Sequence, residues 1–142
     1  MSDPAQPSFD AALAAIPGPL RGPVSTHWQE LAPHITALPP GQWLETLPQV
    51  FAASEFVARG CVQQPALLQE LVTSGDLLHA YPAGDLATRI ARSLADVADE
   101  PALKTRLRQL RRREMLRIAW RDLAGWADLD ETLATLSEFA DA

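Results

Sequence analysis

The residues of this sequence best suited to chemistry are cationic. Lys104, Arg106, Arg108, Arg111, Arg112, Arg113, Arg117 and Arg121 crowd the stretch 104–121, where only Glu114 opposes them. That stretch carries +7, so the remainder of a chain of net charge −6 carries −13. Guanidinium forks suit bidentate pairing with carboxylates or phosphates. Three roles are open to Arg111, Arg112, Arg113, Arg117 and Arg121: ion pairs with the acidic remainder, which needs the fewest assumptions; an interface with a domain or partner outside this chain; or direct contact with a nucleotide or nucleic acid. On a helical wheel the five spread around most of the circumference, and no aromatic residues interleave as base-stacking platforms. Both features disfavour a nucleic-acid face. Arg121 and Glu114 share the side of Leu107 and Leu110, which points one polar pair towards the interior or towards another part of a larger protein.

Other chemistries find little support. The seven glycines are scattered at 18, 22, 41, 60, 75, 84 and 125, whereas a phosphate-cradling loop needs them clustered between strand and helix. His27, His34 and His79 are isolated in sequence, so no metal site is expected. His27 and His34 would share a face only if Pro33 left a helix intact. No strand-turn-helix elbow surrounds Ser54 or Cys61, and Cys61 is expected to be a small core residue. Asp128 and Asp130 resemble a divalent-ion pair, but at a helix start alternate residues diverge by about 200°, so capping explains them better. No catalytic residue is assigned. Trp120 and Trp126 are expected to anchor helix packing, with Trp28 and Trp43 packed locally in the proline-rich part.

Helices must carry these residues. Nine of the twelve prolines lie in the first 48 positions, which predicts only short helices there, Phe9–Ile16 and Ser25–Leu38, the second started by Ser25 or Thr26 and broken or reset by Pro33. From Leu47 the spacing of Val50, Phe51, Ser54, Val57 and Ala58 is helical. Pro65 then opens a second apolar stripe at Leu67, Leu68, Leu71 and Val72, which predicts a helical hairpin. Asp85 is placed to cap a helix running to about Ala98. From Ala102 no Gly or Pro interrupts the chain until Gly125, which predicts one long helix of about six turns, more buried in its second half than its first. Asp128 and Glu131 have the spacing of a reciprocal capping pair, followed by Leu129, Leu133, Leu136 and Ala140 at core spacing. Sustained period-two alternation is missing. The expected fold is all-α: an irregular bundle of about five to seven helices, divided into a proline-rich segment at 1–46 and a helical bundle at 47–142.

A chain that is 47% hydrophobic and 21% charged is globular rather than disordered. No run approaches the roughly 18 apolar residues of a membrane-spanning helix. One cysteine cannot close an intramolecular disulfide, and Met1–Leu20 has no secretory pattern, so a cytoplasmic location is expected.

The run Leu110-Arg111-Arg112-Arg113-Glu114-Met115-Leu116-Arg117-Ile118-Ala119-Trp120-Arg121-Asp122-Leu123 resembles a hallmark of the bifunctional glutamine synthetase adenylyltransferase/adenylyl-removing family. The likeness continues through Asp128-Leu129-Asp130-Glu131-Thr132-Leu133, Leu136-Ser137 and Ala140-Asp141. Upstream, Ser54-Glu55-Phe56-Val57 and Pro65-x-Leu67-Leu68 with Leu71 resemble the family's early helices. Coverage is about Phe51–Asp141, with no resemblance assigned to residues 1–45. The resemblance implies the N-terminal helical region that precedes the first nucleotidyltransferase module of a bacterial enzyme. Such an enzyme transfers AMP from ATP to a tyrosine of glutamine synthetase, removes it by phosphorolysis, and responds to glutamine and the PII signalling protein. It also implies magnesium and ATP for the full-length enzyme, with no cofactor in this chain. The family's Gly-Lys-Leu-Gly-Gly and Ser-Asp-x-Asp motifs have no counterpart here. The chain is therefore expected to be a fragment or truncation that supports the adenylyl-removing module without its active site. The competing reading is a stand-alone helical adaptor that binds a protein or nucleic acid through its basic helix.

Overall fold

A computed structural model describes residues 5–36 and 38–141, in which eight α-helices and one short 3-10 turn account for the regular structure and no strand occurs. The all-α expectation holds. Residues 1–4 and 37 of the proline-rich segment, and residue 142, lie outside the described residues. The chain forms two compact units, residues 1–78 and 79–142; the boundary expected after residue 46 falls inside a helix of the first.

The first unit holds α1 (Ala5–Leu13), α2 (Gly18–Leu31), a 3-10 turn (Ala32–His34), α3 (Gln42–Ala53), α4 (Glu55–Gln63) and α5 (Pro65–Ser74). The prolines constrain it less than their number predicts. Pro19 sits in the first turn of α2, where a missing N–H costs nothing, and Pro23 is carried inside the helix. The α2 face of Val24, Trp28 and Leu31 is buried, and that burial offsets one lost backbone bond, so the helix starts at Gly18 rather than Ser25. Trp28 stacks on Phe9 of α1 with ring centroids 4.6 Å apart, and its indole N–H donates to Gln6 Oε1 at 3.1 Å. Trp43 donates to the Pro39 carbonyl at 3.0 Å. Helix α2 ends at Leu31, so His27 and His34 do not share one continuous helix. His27 instead meets the Phe51 ring edge-on.

The helical run read from Leu47 through Ala58 is two helices. Ser54 is extended, and its Oγ accepts from the Val57 N–H at 3.2 Å, so it ends α3 and caps α4. Helices α4 and α5 follow one another with only Gln64 between them. Cys61, on α4, is fully buried, and desolvation pushes its thiol up to about 12.

The second unit holds α6 (Asp85–Leu94), α7 (Glu100–Leu123) and α8 (Leu129–Asp141), each packed on the other two. Helix α6 ends at Leu94 rather than Ala98. The bonds Ala95 N–H to Arg92 O and Val97 N–H to Leu94 O tighten the chain, and Asp99 must be extended to cap α7 through the Ala102 N–H at 2.8 Å. The long helix spans 24 residues, slightly more than the six turns expected. Its far end closes at Gly125, in the left-handed region at φ 79°, where the Trp126 N–H returns to the Arg121 carbonyl at 2.9 Å.

Candidate functional site

The second half of α7 is the buried half, as the apolar spacing predicts. Leu116, Ile118 and Trp120 lie inside, and so do Glu114, Arg117 and Arg121. Burying an ion is costly unless it is paired and hydrogen-bonded. The fold meets that condition in two places.

The first is a polar layer joining α7 to the segment before α6. Arg113 Nη1 donates both to the Tyr81 hydroxyl, at 2.9 Å, and to Glu114 Oε1, while the Tyr81 hydroxyl donates to the same carboxylate oxygen at 3.0 Å. Arg117 donates to the His79 carbonyl at 2.6 Å, and its guanidinium carbon lies 3.5 Å from the Tyr81 ring centre. The Arg89 guanidinium lies over the same ring at 4.4 Å and pairs with Asp85 at 2.6 Å. Burial and the Glu114 carboxylate outweigh the arginines and push the Tyr81 phenol up to about 12, so it stays a donor. Glu114 Oε2 is buried and meets no hydrogen-bond partner among the described residues.

The second place is the turn between α7 and α8. Arg121 Nε and Nη2 meet the two Glu131 carboxylate oxygens at 3.2 and 3.4 Å, and Thr132 donates to Asp122 at 3.2 Å. Asp128 caps α8 through the Glu131 N–H at 2.7 Å. The capping box is therefore half made, because the Glu131 side chain turns to Arg121. Glu114 and Arg121, expected to point as a pair towards the interior or towards another part of a larger protein, are both buried but partnered separately.

The five sequence candidates thus separate. Arg113, Arg117 and Arg121 are engaged within the second unit, and Arg111 and Arg112 are exposed. Lys104 makes an exposed pair with Glu100, at 3.4 Å. The polar layer escaped sequence reasoning because Tyr81 and His79 lie more than thirty residues before their partners. A lone tyrosine ahead of an Arg-Glu pair carries no short-range signal.

Beside the basic rim runs an apolar groove lined by Ile90, Leu107, Leu110, Arg111, Met115, Leu136, Phe139 and Ala140. Leu129 and Leu133 continue the Leu136 and Ala140 stripe of α8. Expected in the core, they are 68% and 53% exposed, because neither α6 nor α7 covers that side. Among the described residues no three His, Cys, Asp or Glu side chains gather into a set able to hold a metal ion. Asp128 serves as the cap of α8. No helix among the described residues is long and apolar enough to cross a membrane.

An all-helical module with a basic long helix braced by buried ion pairs is the class these features define. Residues 44–142 match the glutamate-ammonia ligase adenylyltransferase family, and the chain belongs to that family. It is 48% identical over 99 residues to the bifunctional glutamine synthetase adenylyltransferase/adenylyl-removing enzyme of Nitrosococcus oceani, covering 70% of this chain and 10% of that protein. The enzyme of the same name from Thioalkalivibrio sulfidiphilus gives the same identity and coverage. That from Shewanella loihica is 31% identical over 131 residues, 90% of this chain and 14% of the relative, which carries the similarity into the first 45 residues, to which no resemblance had been assigned. The chain spans about a tenth of the length of the first two relatives. No solved structure matches.

Proposed function

We propose that this chain is the N-terminal helical portion of a cytoplasmic enzyme that adenylylates and deadenylylates glutamine synthetase, and that it supports the adenylyl-removing module without contributing catalytic residues. The observation that carries this reading is the state of α7. Its buried cations are tied into internal pairs that stiffen the helix, while its exposed arginines and an uncovered apolar stripe face outward. That is the build of a scaffold with a surface to offer, in a chain similar to a tenth of a longer enzyme. Magnesium and ATP belong to the remainder of that enzyme, as do the responses to glutamine and PII. Glutamine synthetase is the substrate protein.

The test is a chimaera in which this chain replaces the corresponding segment of the Nitrosococcus oceani relative. With adenylylated glutamine synthetase, phosphate and magnesium, the chimaera should release ADP, deletion of the segment should abolish release, and the isolated chain should release none. ADP release by the isolated chain, or a folded but inactive chimaera, overturns the reading.

A further inference from the structure

We propose that the groove between the first half of α7 and the end of α8 is the seat of an acidic amphipathic helix from the remainder of the same enzyme. The inference rests on the functional reading above and assigns a partner to its outward face.

Three observations carry it. The first is an uncovered apolar surface. Leu107 is 43% exposed at the groove, and the α8 stripe that lines it continues through exposed Leu129 and Leu133. The twelve residues from Leu129 to Ala140 give a contact about 16 Å long from end to end, three turns of helix. Helix-in-groove recognition uses anchors at this spacing. The second is charge. Lys104, Arg108 and Arg111 recur on the same side of α7 as Leu107 and Met115, and Arg112 lies one position beyond. Arg108, Arg111 and Arg112 are exposed and, among the described residues, meet no carboxylate, in a chain whose net charge is negative. Carboxylates along one edge of the incoming helix would meet them, which selects an acidic occupant over a neutral or basic one. The third observation decides between occupants. An isologous pair of copies would set the two arginine rims against each other, which disfavours self-association. The chain's similarity to only a tenth of its first relatives leaves most of the enzyme to supply the helix.

Overlapping peptides of about 20 residues, or ~30 Å of helix, tiling the rest of the Nitrosococcus oceani relative and titrated with the 142-residue chain by fluorescence anisotropy, test this. At least one peptide should bind and carry apolar residues at i, i+4 and i+7 with an acidic edge. Its affinity should fall roughly tenfold or more with Leu107→Asp or Leu133→Asp. It should fall a further few-fold, with weaker salt dependence, when Arg108 and Arg111 are both changed to Glu. Both leucines are about half exposed, so the variants should fold, as circular dichroism would show, and Phe56→Ser on the first unit should leave binding unchanged. The proposal is overturned if no peptide binds, if binding ignores these substitutions, or if the chain dimerises in sedimentation and Leu107→Asp abolishes the dimer. If the chimaera is active and no peptide binds, the groove inference falls alone; a folded, inactive chimaera removes the functional reading itself.

Discussion

The guanidinium of Arg117 lies 3.5 Å from the centre of the Tyr81 ring. One tyrosine thus serves α7 twice: its face receives a buried cation, and its hydroxyl joins Arg113 to Glu114. Three charges that would each be costly to bury alone become one connected layer.

Stability should therefore divide the arginine cluster. Arg111→Ala and Arg112→Ala, at exposed positions, should each change unfolding free energy by less than about 0.5 kcal/mol. Glu114→Ala removes the carboxylate that Arg113 and Tyr81 share and should cost about 3–5 kcal/mol. Urea unfolding followed by circular dichroism reads all three. A loss below about 1 kcal/mol for Glu114→Ala would show that the layer is not a coupled network.

The layer should also respond to alkali. The folded-state Tyr81 pKa, about 12, lies above the ordinary 10, so the folded form holds a proton that the unfolded form releases first. Its contribution is complete below pH 10 and is lost as pH rises towards 12. Tyr81 is the only tyrosine, so phenolate absorbance reports it directly. Titration at an ordinary value in the folded chain would rule out its burial beside Glu114. Tyr81→Phe should flatten the fall in stability across that window.

Cys61 offers a second direct reading. With its thiol pushed from 9.0 to about 12, the folded chain holds roughly a thousandfold less thiolate than a free thiol does. Disulfide-exchange reagents should modify it slowly in buffer and rapidly in denaturant. Rapid modification of the folded chain would place Cys61 at the surface.

The aspartates before α7 and α8 should behave as caps. Asp99→Ala and Asp128→Ala each remove an acceptor, for Ala102 N–H and Glu131 N–H, and should cost about 1 kcal/mol. Asp130→Ala should cost under about 0.5 kcal/mol. Melting curves in the presence and absence of magnesium decide the matter. A magnesium-dependent rise in melting temperature that Asp128→Ala removes would revive the ion-binding explanation.

What could be read in advance followed the range of the forces involved. The long helix and its deeper second half were legible because apolar spacing over six turns is a local signal, and Asp128 was legible as a cap for the same reason. Ser54 carried a local signal too, a serine able to cap a helix, but the apolar repeat on either side masked it. The α2 start went astray because proline count was weighed above proline position. Leu129 and Leu133 looked like core residues because periodicity marks an apolar stripe but not what covers it. The partners of Glu114 and Arg121 depend on chain segments brought together by the fold, which no wheel projection contains.

Helix α6 takes one hydrogen bond near each of its ends from a neighbouring helix. Gly84 gives its start no side-chain cap; the Ala87 N–H is met instead by Glu138 of α8 at 3.4 Å, and the Ser93 carbonyl by Arg106 of α7 at 3.1 Å. Both partners lie downstream, 13 and 51 residues later in the chain. As the chain leaves the ribosome, α6 therefore waits for groups not yet synthesised. The earlier-made helix is completed by the later ones, and a chain cut short before Glu138 would leave α6 frayed at its start.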